Sequence, residues 1–204
     1  MGVISNGTTL LDAGALDSGI ATGAMTLIKT LTASGATTLS FLNGADNVVF
    51  DNTYDVYVFK FINIKASNRS KSLTFQVDTG TNTNYNIAVT STGFEAYQNE
   101  SGNSAALRYD NQYDLEQSTG FVQISSELQN DSDSSGSGEL VFYNPSSDTF
   151  VKHWTSTSNN MRFDVHCYQY HKAGYFNTTT ALTRVQFKIN ANTFDGTIKM
   201  YGIK

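Results

Sequence analysis

The sequence predicts an all-β protein, an antiparallel β-sandwich that is jelly-roll-like, with an extended N-terminal arm. Three observations carry this. Apolar residues recur with a period of two along most of the chain, turn residues break the runs at short intervals, and helical periodicity is hard to find. SLTFQVD places Leu73, Phe75 and Val77 on one face and Ser72, Thr74, Gln76 and Asp78 on the other. LTRVQFKIN does the same, with Val185, Phe187 and Ile189 inward and Arg184, Gln186 and Lys188 outward. Such alternation belongs to a half-buried antiparallel strand.

Taken in order, residues 1–24 fit the strand pattern least and carry Gly2, Gly7, Gly14, Gly19 and Gly23. They read as an extended arm, apolar in TLLDAGAL and too short to fold alone; GTTLLDAGALDSG is also one of two short helical candidates. Strands are expected at MTLIKTLT and TTLSFL. YDVYVFKFINI is apolar on both faces, so a central strand covered on both sides is expected, with Lys60 the one exception. Further strands fall at YNIAVTS, GFVQISSE, ELVFYN, TFVKHW, MRFDVHCYQY and GTIKMYG, and ALRYDNQYDLEQ is the second helical candidate. NGAD, DTGTN, NPSSD and ANTFDG supply turns, and Pro145, the only proline, pre-sets a turn corner. Roughly ten strands at short spacing make a sandwich, so residues 25–204 read as a single domain.

Composition narrows the partners. Of 204 residues, 39% are hydrophobic and only 15% charged, against a usual figure of about 25% charged. The polar surface must therefore be mostly Ser, Thr, Asn, Gln and Gly. Few charges then need desolvating at an interface, and a sugar-binding face is served equally well. A net charge of −5 and a pI near 5.0 argue against nucleic acid as a partner. Residues 1–24 lack Lys and Arg, so no secretory signal is expected. No run approaches the about 18 apolar residues of a membrane span, and a soluble chain is expected. The single cysteine, Cys167, excludes an internal disulfide.

Candidate chemistry is sparse. In NDSDSSGSG, Asp131, Asp133 and Ser135 alternate before Gly136, as a calcium loop begins. The twelfth position from Asp131 is Phe142, inside an expected strand, and flanking helices are missing. Asp131 and Asp133 are carried as metal candidates, with Glu139 as an added ligand; the preferred reading is a solvated connection between strands. In HCYQYH, His166 and Cys167 should point to opposite faces, whereas Cys167 and His171 share a face about 13 Å apart, too far for one zinc. A small buried thiol and tyrosine-flanked histidines are expected there. No nucleophile or phosphate-loop motif occurs, and the acids gather in turns. No catalytic residue and no cofactor is expected, and the chain is not read as an enzyme. Tyr85, Tyr97, Tyr109 and Tyr113 lie in polar, loop-rich stretches; both sugar stacking and subunit contact suit them.

Several segments resemble one family when taken together. ISNGTTLLDAGAL, YVFKFINI, GELVFYNPSSDTFVKHW, AGYFNTTTALTRVQFKI and GTIKMYGIK resemble small virion structural proteins of tailed phages of marine bacteria, including phages of cyanobacteria and SAR11-type hosts. The resemblance spans nearly the whole chain, and its motifs are turns, strands and a closing edge. It implies a virion structural protein and leaves head or tail open. The leading expectation is a head decoration (cement) protein on the capsid surface. It would form a homo-oligomer, a trimer by preference, seated on the major capsid protein shell. Leu10, Leu11, Ala13 and Leu16 of the arm would reach a neighbouring subunit. The alternative is a small tail or tail-fibre tip module binding a host surface glycan through the loop tyrosines.

Overall fold

The computed structural model describes residues 25–111, 113–162 and 164–204, together with the backbone of 3–5, 8–12 and 15–16. Near the N-terminus, β1 (Val3–Ser5), β2 (Thr8–Asp12) and β3 (Ala15–Leu16) pair antiparallel with one another in the order β1-β2-β3. The expected arm thus turns back on itself in residues 3–16, and GTTLLDAGALDSG is strand where it is described.

The remaining strands are β4 (Thr26–Ala36), β5 (Thr38–Leu42), β6 (Val56–Ala66), β7 (Leu73–Thr79), β8 (Val89–Asn99) and β9 (Ala105–Tyr109). They are followed by β10 (Val122–Gln123), β11 (Gly136–Tyr143), β12 (Lys152–Met161), β13 (His166–Phe176), β14 (Leu182–Ile189) and β15 (Phe194–Ile203). One sheet has eight strands in the order β4-β15-β6-β11-β12-β13-β8-β9, the other four in the order β10-β7-β14-β5. The two antiparallel sheets pack as a β-sandwich. Among the described residues there is no helix, and so none long and apolar enough to cross a membrane.

Inward side chains at alternate positions fill the space between the sheets. Phe75 on β7 is fully buried and lies 5.1 Å from Trp154, 5.7 Å from Phe176 and 5.9 Å from Phe142, ring centroid to ring centroid. Phe59 meets Phe41 at 5.1 Å and Phe187 at 5.4 Å. These contacts are edge-on or tilted, so ring edges meet ring faces and each pair adds about 0.5–1.5 kcal/mol beyond its buried area.

The smaller sheet meets β13 at its Phe176 end, through Phe75, and further along β13 and β8 another segment takes its place. There the segment after β9 folds back beneath the larger sheet, and the buried side chains turn polar. Lys172 meets Asp110 at 2.8 Å, with both side chains almost fully buried. Glu95, 3% exposed, accepts from Arg108 Nε at 2.5 Å.

Several expectations need correction. The far face of β7 is not in water: Gln76 and Asp78 are fully buried. Gln76 Nε2 donates to the carbonyls of Ile87 (3.1 Å) and Gly120 (2.9 Å), and Asp78 Oδ2 accepts from the Tyr85 amide at 2.8 Å. Polar side chains there tie loops down over the sheet, which looks in sequence like solvation. β6 is central but among the described residues has no second layer on its outer side, where Ile62 is 38% exposed and Lys60 pairs with Glu139. ALRYDNQYDLEQ contains β9 and a loop, with no helix. MRFDVHCYQY is the end of β12, a turn and the start of β13, closed by Arg162 N donating to His166 O at 2.8 Å. YNIAVTS becomes strand only at Val89, and β8 continues to Asn99.

A candidate binding trough on the outer face

Antiparallel register places every second residue of neighbouring strands in rows across the outer face of the larger sheet. One row runs Thr155–Ala173–Thr92 over β12, β13 and β8. These side chains are short. The next row, Thr157–His171–Phe94–Tyr109, extends onto β9 and is tall. On the other side stand His153, Tyr175 and Thr90, with Tyr143 beside them on β11. A floor of small residues between two aromatic walls is the result. Two concavities of about 340 and 330 Å³ occupy it and share Thr92, Thr155 and Ala173.

Neighbouring contacts fix the walls. The Phe94 and His171 rings stack at 4.9 Å with 19° between their planes, and His153 lies 6.0 Å from Tyr175. Hydroxyls rim the trough. Tyr143 Oη and Thr155 Oγ1 are 3.2 Å apart, Thr157 Oγ1 lies 3.3 Å from His171 Nδ1, and Gln117 Nε2 donates to Thr90 Oγ1 at 2.6 Å. Tyr109, 61% exposed, donates its hydroxyl proton to Asp114 Oδ2. Lys172 belongs to the same stretch of β13, but its ammonium is turned to the inner face against Asp110.

Of the tyrosines singled out in the sequence, only Tyr109 stands in this trough. Tyr85 is buried at 8% exposure, Tyr97 stacks on Tyr168 at 5.0 Å, and the Tyr113 ring faces the Lys172 ammonium at 5.3 Å. Phe94, Tyr143, His153 and Tyr175 were not singled out. Period two marks them as outward-facing, but only pairing register brings them together.

The Asn130–Gly138 stretch lies at another place. Asn130, Asp131, Ser132 and Asp133 are exposed, and β11 already begins at Gly136. Asp131 accepts from Gln129 Nε2, and its carbonyl accepts from the Ser134 amide at 3.3 Å. Asp133, Glu100, His166 and Cys167 line one open cavity of about 420 Å³. Both ring nitrogens of His166 are engaged, Nδ1 with Asp164 at 2.9 Å and Nε2 with Ser104 Oγ at 3.3 Å. Among the described residues no group of three or more His, Cys, Asp or Glu is placed to hold a metal ion. Cys167 is exposed, not buried as its small apolar character predicts, because odd-numbered residues of β13 face outward. His166 and Cys167 do point to opposite sides, as the strand geometry requires.

Leu10 and Leu11 fall on β2 and Leu16 on β3. Their side chains, and all of Ala13, lie outside the described residues. Compared with known proteins, the chain matches no family model, no curated protein and no solved structure.

Proposed function

We propose that this chain is a virion structural protein, a decoration protein seated on the shell of a tailed-phage head. The observation that carries the reading is the outer face of the larger sheet, which has no second layer among the described residues. Leu27, Ile62, Phe94, Leu107, Tyr109 and Tyr143 all stand on it and are at least 38% exposed. Large apolar side chains left exposed on an uncovered sheet face mark an interaction site. The proposed seat is the β4-β15-β6 half, where Leu27 stands beside Tyr201 and Ile62 stands opposite Thr197. The N-terminal arm joins the chain at β4, the edge strand of that half, and would add contacts to a neighbouring subunit.

Strand order supports a jelly-roll core. With β8, β9, β12 and β13 set aside, the sheets read β4-β15-β6-β11 and β5-β14-β7-β10, and the chain crosses repeatedly between them, as in two Greek keys. The four strands set aside form an extension that lengthens one sheet only.

A cryo-EM map of the intact virion tests the reading: density for this fold on the capsid surface supports it. Leu27→Asp combined with Ile62→Asp should lower occupancy on shells while thermal melting stays unchanged. Density at the tail tip would favour the alternative of a glycan-binding tip module.

A further inference from the structure

We propose that the aromatic trough on the β12-β13-β8-β9 extension is a binding site for a neutral saccharide chain. The inference goes beyond the decoration role and does not depend on where in the virion the protein sits.

The chemistry of the lining selects the ligand. The walls are rings, Phe94 stacked on His171 on one side, Tyr175, His153 and Tyr143 on the other. An aromatic face carries partial negative charge. It therefore attracts the C–H groups of a pyranose, which neighbouring oxygens polarise positive. Hydroxyls come from Thr92 and Thr155 on the floor and from Thr90 and Thr157 on the flanks; each can both donate and accept, as sugar hydroxyls do. The contact of Thr155 with Tyr143 at 3.2 Å uses one bonding direction and leaves another for a ligand, while Thr90, which accepts twice from Gln117, keeps its proton to donate.

Charge selects among saccharides. Lys172 points away and is paired, Asp114 is held by Tyr109, and Lys60 pairs with Glu139 at the β11 border. No lysine or arginine is left over on the described floor to recognise an anionic glycan or a phosphate, and the Asp114 carboxylate keeps its negative charge at the rim, which repels anions. Size and shape agree. His171 and Tyr175 are four residues apart on one strand, which separates their Cα atoms by about 13 Å. The two concavities lie at the low end of small-ligand pockets, about 300–1,000 Å³, and are open above, as an internal stretch of a glycan needs.

A peptide fits less well. Extended peptides gain affinity by pairing with the backbone of a sheet edge, whereas the trough lies on a face whose backbone groups are already paired within the ladders β12–β13 and β13–β8.

The test uses the full chain on an array of neutral hexose, deoxyhexose and N-acetylhexosamine oligosaccharides beside anionic ones, followed by titration calorimetry on each neutral hit. At least one neutral glycan should bind. Phe94→Ala and Tyr175→Ala should each weaken it by about tenfold or more, as for anchor residues in a contact surface. Ala173→Trp fills the floor without entering the core and should abolish binding while the melting temperature holds. Ile62→Ala, on the same face but outside the trough, should leave binding unchanged. Retention of anionic glycans only, no retained glycan, or binding indifferent to Ala173→Trp would each overturn the proposal. Shell occupancy in the Leu27→Asp, Ile62→Asp variant is a separate readout, so failure here leaves the decoration reading standing.

Discussion

A Cβ on Gly174 would stand 2.7 Å from Trp154 Cζ2 and press against the Thr90 carbonyl oxygen. Glycine there lets the indole lie flat beneath β13, where it meets Phe75. Gly174→Ala should therefore destabilise the fold by about 1–3 kcal/mol, the usual cost of overpacking, measured by urea denaturation. Tyr57 gives a prediction with a sign in pH. Its side chain is fully buried, its hydroxyl donates to the Asp51 carbonyl at 3.0 Å and accepts from the Asp51 amide at 3.2 Å. Burial raises its pKa from the ordinary 10.0 to about 12. Below pH 10 the folded and unfolded chains both hold the proton, and the contribution to stability is intact. As pH rises from 10 towards 12 only the unfolded chain loses it, so that stability is progressively lost. Burial raises Tyr168 and Tyr170 in the same direction. Tyr57→Phe should make the alkaline limb of the stability profile shallower and cost about 1 kcal/mol at neutral pH through the lost hydrogen bonds.

At the scale of elements, Lys152 opens β12 with no exposed surface, and its ammonium donates to three carbonyls: Ser147 at 2.5 Å, Phe150 at 2.7 Å and Thr179 at 3.2 Å. It ties the β11–β12 turn to the connection between β13 and β14. Lys152→Met keeps the stem but leaves buried carbonyls without a donor, so a loss of about 1–3 kcal/mol is expected in chemical denaturation. Nothing in TFVKHW distinguishes this lysine from a solvated one, because its partners are backbone atoms of two other segments. The same reasoning separates the legible strands from the rest. β14, β15 and β6 were readable because they pack inward against other apolar side chains, and that periodicity is written in residue type. β8 was readable only at its start, in YNIAVTS, since its later inward positions Gly93 and Glu95 face a polar loop and not the smaller sheet. β9 passed for a helical stretch because a short edge strand with exposed Leu107 and Tyr109 has no buried face to set its period. For the trough, the sequence offered Tyr109 and the tyrosine-rich character. The partners depend on which strands pair, and β8 joins the β12–β13 hairpin only through long-range register.

At the scale of the whole molecule, the jelly-roll core reading and its one-sided extension predict unequal stability. The extension rests on a loop with buried charges, and β9 closes it with mostly exposed residues. Amide hydrogen exchange should be faster in β8 and β9 than in β6, β7 and β14, which surround the aromatic core; equal protection would argue against this division. Under the proposed decoration role, removing residues 1–24 should release the protein from capsids and leave the melting temperature of the sandwich nearly unchanged, because among the described residues the β1-β2-β3 ladder makes no strand pairing with either large sheet. Truncated protein that still fills shells would assign the seat to the sheet face alone. Cys167 has a different use. It is the only thiol in the chain, exposed on β13 on the same side as His171, and touched by Asn159 Nδ2 at 3.1 Å. A maleimide dye would attach at this single address, about 13 Å along the strand from the trough wall. Labelled there, the molecule would carry an optical reporter able to register occupancy of the trough.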